Sequence, residues 1–260
     1  MAPTLRVKAS DDAIRTQRRT VAERVLAHFG NRLPDLRLLC FFDDDDWQPF
    51  KDYFGEANRG FYGPIKDNSF SWPTWPEYVM ECILVDDGSG PFRRAFDHVI
   101  YLYGSTCANE VGLAMAFAHE LQHFVQHSDV LKLWAANSLI QHLPKSVINA
   151  LGLKWSDIPI EREARIVSKR TAENLFGAET VRQYVVSKIA GGVSADDAAD
   201  WMFVLELVTS APFDVARETQ VIFQRVKASR SNLEELAQEL KNDPDFKDLD
   251  LRTLLDGASP

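Results

Sequence analysis

Apolar positions recur at helical spacing over residues 10–29, where Asp11 or Asp12 can cap the first turn and Gly30 closes the last. Residues 36–42 form a short unbroken apolar run, which predicts a buried strand. Asp43, Asp44, Asp45 and Asp46 follow. Adjacent carboxylates repel unless a cation neutralises them, so this run reads as a solvated turn. Residues 47–77 are rich in Trp, Phe, Gly and Pro and read as irregular loop with a short strand at Phe61 and Tyr62. Trp72 and Trp75 within that loop read as packing residues first and substrate contacts second. Two further strands are predicted over 78–85 and 98–103, the first followed by turn residues from Asp86 to Pro91.

Past Gly104 the pattern turns helical and stays so. Asn109 is placed to cap a helix, with Glu110 at its positive end. Val111, Ala114, Ala118, Leu121 and Val125 mark its apolar stripe. Helical patterns continue over 131–140 and 146–151. Another runs over 160–176, with Pro159 at its start and Gly177 at its end. Helices over 180–190, from Ser194 and from Ser231 complete the chain, the last opened by a capping box with Glu234. Strands gathered in the first half and helices in the second predict an α+β fold. The expected division is a main domain over 1–192 and a helical extension over 193–260, packed on the same domain.

The predicted helix after Asn109 carries the sharpest chemical signal. His119-Glu120-Leu121-Gln122-His123 is an H-E-x-x-H motif. Histidines at i and i+4 leave one face of a helix, so their ring nitrogens can meet a single zinc ion. Glu120 stands about 100° around the helix from His119, placed to take a proton from water without filling a metal position.

Two histidines do not complete a catalytic zinc site, which ordinarily has three protein ligands and a water. His127 fails as the third, because it lies about 12 Å along the helix from His119. His28, His98 and His142 are isolated histidines, read as ordinary core or surface residues. The better source is the start of the helix over 160–176, which lies 37 residues beyond His123 and holds Glu161 and Glu163. Against the stripe at Ile160, Ala164, Val167, Thr171 and Leu175, Glu161 falls about 60° from centre and Glu163 about 100°. Glu161 is therefore the favoured ligand and Glu163 the alternative. First-turn glutamates also suit a helix dipole without any metal. For a developing oxyanion, Tyr103, Tyr184 and Arg165 are the candidate donors, and the sequence does not choose among them. The strand over 98–103 is either an edge along which a peptide lies extended or an interior strand.

A strand, a short connection, a helix with H-E-x-x-H and a later helix opening on Glu161-Arg162-Glu163-Ala164 resembles the gluzincin zinc peptidases. Over residues 78–177 it is most similar to the ImmA/IrrE-type intracellular peptidases and other minimal zincins. The resemblance implies a small, mainly antiparallel sheet packed on the motif helix. It also implies one zinc ion on His119, His123 and Glu161, Glu120 as general base, and peptide hydrolysis. Two positions depart from that pattern. Gln122 stands where the family often has Gly, and Arg165 where it often has Asp or Asn.

Composition narrows the remainder. The net charge is −9 and no Lys/Arg cluster stands out, which argues against a nucleic-acid surface. Cys40, Cys82 and Cys107 are odd in number and unrelated in spacing, so neither a disulfide scaffold nor a cysteine zinc site is predicted. The first eight residues lack the apolar core of a secretory leader, and the longest uncharged apolar run, 111–118, is too short to span a bilayer. The expectation is a cytoplasmic metallopeptidase of narrow specificity acting on a peptide or protein. The competing readings are a zincin-fold interaction protein without turnover and a zinc hydrolase of a non-protein amide or ester.

Overall fold

The structure is a computed structural model that describes residues 2–43, 60–64, 96–129, 131–141, 143, 148–149, 151–191 and 194–228. Its order is β1 (Thr4–Lys8), α1 (Asp12–Phe29), β2 (Leu38–Asp43), β3 (Gly60–Pro64), β4 (His98–Tyr103), α2 (Glu110–Asp129), α3 (Leu131–Gln141), α4 (Pro159–Phe176), α5 (Ala178–Ala190), α6 (Ala195–Glu206) and α7 (Val215–Lys227). This is an α+β chain, with its described strands before residue 104. No helix among the described residues is long and apolar enough to cross a membrane. The predicted strand over 78–85, the turn after it, Trp72, Trp75, Cys82, His142 and the Ser231 capping box lie outside the described residues.

The four strands form one sheet in the order β1-β2-β4-β3. β1 pairs with β2 and β2 with β4 in parallel, while β3 runs antiparallel to β4. The expected mainly antiparallel sheet is therefore a mixed one, with two of its three pairings parallel. One of these two parallel pairings rests on β1, which sequence analysis did not predict. Parallel neighbours need a long crossover, and α1 supplies it between β1 and β2. β4 also has a partner on each side, so it is an interior strand and not an edge. Every residue of β2 and β4 is buried, as expected where interior strands are covered on both faces.

Asp43 belongs to this buried layer rather than to a solvated turn. It is the last residue of β2 and fully buried. Its carboxylate accepts a hydrogen bond from the Tyr101 hydroxyl at 3.1 Å and lies 3.7 Å from the Lys8 ammonium. A buried charge persists where such partners offset its lost hydration.

By compactness the chain divides into two units. The first comprises Met1–Val125 and Ile166–Thr209, the second Gln126–Arg165 and Ser210–Pro260. These units interleave along the chain.

In the first unit, α1 is capped by Asp11, whose side chain accepts from the Ile14 N–H. The helix is tied down by the buried Arg18, which donates to the Cys107 carbonyl at 3.0 Å. The sheet-facing side of α2 is aromatic. Phe117 meets Phe42 edge-on at 5.1 Å, and Phe124 meets His98 at 5.0 Å. His98 is thus the core histidine expected of an isolated one, its Nδ1 3.0 Å from the Tyr62 hydroxyl. A second cluster joins Val111 and Met115 of α2 to Ala172 of α4, Val181 and Val185 of α5, and Trp201 and Val204 of α6. α6 begins at the predicted cap, with Ser194 accepting from the Asp197 N–H.

The second unit is built on α3, the start of α4 and α7. Its core gathers Ala136, Leu139 and Ile140 with Ile158 and Ile160, and Val215, Ile222, Phe223 and Val226. Sequence analysis placed no element over α7. The signal is present: Asp214 caps it by accepting from the Arg217 N–H at 3.0 Å, and the buried positions 215, 219, 222, 223 and 226 follow helical spacing.

Candidate metal centre

The centre is set by how β4 gives way to α2. Gly104 ends the strand at φ 57°, a left-handed conformation that a side chain would make costly. A short 3-10 turn over Gly104–Ala108 follows, and Asn109 then caps α2. Its Oδ1 accepts from the Val111 and Gly112 N–H groups at 2.9 and 3.0 Å. Asn109→Ala leaves two first-turn N–H groups without this acceptor and is expected to lower stability by about 1 kcal/mol. Denaturant titration checks it, as a shifted midpoint at unchanged slope.

α2 is buried over almost its whole length. Leu113, Ala114, Phe117, Ala118, Leu121 and Phe124 are sealed from solvent, and Glu120, Gln122 and His123 are buried with them; His119 is half-buried. The motif therefore sits on a rigid core helix, which fixes the directions of its side chains. The Nε2 atoms of His119 and His123 lie 3.1 Å apart, with their rings perpendicular. Two nitrogens bound to one zinc at about 2.05 Å and a tetrahedral angle stand about 3.3 Å apart. The pair matches that spacing.

α4 is held to α2 in each unit separately. In the first, the Ser168 hydroxyl donates to the Met115 carbonyl at 2.6 Å. In the second, the Gln126 amide donates to the Ile160 carbonyl at 3.0 Å and to the Glu163 carboxylate at 2.7 Å. Along these helices His119, His123 and Glu161 each present a ligand atom within 4.8 Å of the others. Glu161 is buried, and its Oε1 accepts from the Gln141 amide at 3.2 Å. Two imidazole nitrogens and a carboxylate oxygen, largely withdrawn from water, are a donor set that suits zinc.

The structure brings Glu161, and not Glu163, to the histidines; Glu163 is engaged by Gln126 on α2. His127 packs edge-on against Trp134 at 5.4 Å and is not part of the cluster. The three oxyanion candidates fare differently. Tyr184 is drawn away from the motif: its hydroxyl lies against Gly112, where a Cβ would stand 2.3 Å from it. Gly112 precedes His119 by two turns, about 10 Å along the axis. Glycine there makes the notch that receives this ring, which also meets Trp201 edge-on at 5.8 Å. Tyr103 ends β4, buried, with its ring stacked on Tyr101 at 5.4 Å. Arg165 is half-buried on α4, one turn beyond Glu161. None of these placements assigns an oxyanion donor. What sequence analysis missed are the amides of Gln126 and Gln141, which carry no motif and are identifiable only once the helices are packed.

Cys40 and Cys107 are buried and not joined in a disulfide, and burial pushes the Cys40 thiol well above its ordinary range. That is the opposite of what an active thiolate needs. A hollow of about 270 Å³ on the described surface is lined by Lys169, Glu173, Arg182 and Leu205 among others. Lys169 donates to the Leu205 and Leu207 carbonyls at 2.9 and 2.8 Å, closing the end of α6, so it reads as structural. Compared with known protein families, with curated proteins and with solved structures, the chain finds no match.

Proposed function

We propose that this chain is a zinc-dependent peptidase that hydrolyses peptide bonds at His119, Glu120, His123 and Glu161. One observation carries the reading: two histidine nitrogens at ligand spacing and a buried carboxylate converge beside a glutamate one residue from a ligand. When bound, zinc supplies Lewis acidity, acidifying a water and polarising a carbonyl. The chain's own residues do the rest. His119, His123 and Glu161 would hold the ion, by two imidazole nitrogens and one carboxylate. The Glu120 carboxylate accepts the proton of the attacking water and returns it to the leaving amine.

Zinc content and turnover test the reading together. Protein reconstituted with zinc should hold one equivalent and cleave members of a peptide library, with a chelator abolishing cleavage and zinc restoring it. Well under half an equivalent would reject the metal reading. One equivalent with hydrolysis only of small amides or esters would keep the centre and change the substrate class. The two glutamates give a sharper test. Glu161→Gln should weaken zinc affinity severely, because a charged ligand is lost, whereas Glu163→Gln should change it little. Equal losses, or the reverse order, in a chelator competition titration would overturn the ligand assignment.

A further inference from the structure

The first turn of α4 is gripped by three side-chain amides, more than a helix start needs for capping alone. Asn137 and Gln141 stand one turn apart on α3, and so on one face of it. Asn137 is fully buried, its Oδ1 3.4 Å from the Ile160 N–H and its amide donating to the Thr219 hydroxyl at 2.9 Å and the Leu133 carbonyl at 2.9 Å. The Thr219 hydroxyl in turn donates to the Val215 carbonyl at 2.7 Å, which anchors the chain on α7. Gln126 holds the Ile160 carbonyl and Glu163. Between these two fixed points lies Glu161, and Gln141 donates to its Oε1.

Resting on the metal-centre reading above, we infer that Gln141 is a positioning residue for Glu161, and that α3 is the element that presets the third ligand. The physical argument concerns the buried carboxylate. Glu161 has three side-chain torsions, and ordering them on metal binding costs conformational entropy. A hydrogen bond to one oxygen fixes the carboxylate plane and directs the other oxygen, so part of that cost is met in the folded protein before metal arrives. Outer partners of this kind orient ligands in metal sites generally, and their loss costs about ten- to hundredfold in metal affinity. Asn137 secures the backbone at Ile160, and Gln141, one turn along, secures the side chain of the next residue.

The test is a double-mutant cycle on the full chain, read by zinc affinity in competition with a chelator and by the visible spectrum of the cobalt-substituted protein. Gln141→Leu should lower zinc affinity by about ten- to hundredfold and alter the cobalt spectrum, which reports ligand geometry. Gln141→His, which retains an N–H donor, should recover part of the loss. In a Glu161→Gln background, Gln141→Leu should add little, because both act through one ligand. A merely structural Gln141 would instead lower the melting temperature of the metal-free protein and leave affinity and spectrum unchanged. That result, or full additivity of the two substitutions, overturns the proposal while the metal centre stands. If the wild type binds no zinc, the centre and this inference fall together.

Discussion

His123→Ala will leave the purified chain unable to retain zinc, and His119→Ala will do the same. Each removes one of two nitrogens that lie 3.1 Å apart and converge from successive turns of α2. The remaining imidazole and the Glu161 carboxylate form a two-donor set, short of the three that hold a catalytic zinc. The loss should exceed the roughly ten- to hundredfold that an outer partner costs, since a ligand itself is gone. Alanine is the best helix former, so α2 should persist. His123 is buried, however, and its removal leaves a void in the packing around α2. Thermal melting of the metal-free protein therefore accompanies the zinc measurement. A folded His123→Ala protein that still holds one equivalent would place the metal elsewhere and end the peptidase reading.

The motif was legible because it is local. Two histidines at i and i+4 share a helix face whatever the rest of the chain does, and the stripe from Val111 to Val125 established that a helix was there. Glu161 was legible at one remove. The phase of the stripe through Ile160, Ala164 and Val167 points it inward, and in the structure it is buried while Glu163 is half-buried. Both readings need only the periodicity of one helix.

What escaped depends on relations between elements. β1 shows clean alternation, with Leu5 and Val7 against Arg6 and Lys8, but five residues make a weak signal. Missing it hid the β1-α1-β2 crossover, and with that one of the two parallel pairings of the sheet. Asp43 looked solvated because its neighbours in sequence are acidic; its partners, Tyr101 and Lys8, come from other strands. Tyr184 was plausible as an oxyanion donor by residue type alone. A glycine two turns before the motif decides its place, through a steric notch that no spacing rule encodes. The amides of Gln126, Asn137 and Gln141 are the same case. An isolated Gln or Asn has no periodic signature, and its role is defined only by what it faces.

Glu120→Gln should keep zinc and fold while turnover falls by several orders of magnitude. The change is isosteric, and the residue is buried on a helix whose packing is otherwise untouched. An amide cannot accept the proton of the attacking water, so the general-base contribution, typically about 10²- to 10⁴-fold, is lost outright. The proton return to the leaving amine is lost with it. Affinity for substrate should survive, because the residues proposed to hold the ion are unchanged; the loss belongs in kcat rather than KM. The variant is then a trap for the wild type's substrate, and captured proteins that the wild type cleaves would identify it. Two results would count against the mechanism. If Glu120→Gln loses zinc as readily as His119→Ala, Glu120 is itself a ligand and the base must be sought elsewhere. If turnover persists at more than about a tenth of wild type, well short of the loss expected for a general base, the proton goes to another group. Arg165, one turn beyond Glu161 on α4, cannot be that group, since a guanidinium stays protonated throughout the working range. Among the residues of the motif, Glu120 is the one carboxylate, and for that reason this single substitution separates a hydrolase from a protein that merely binds metal.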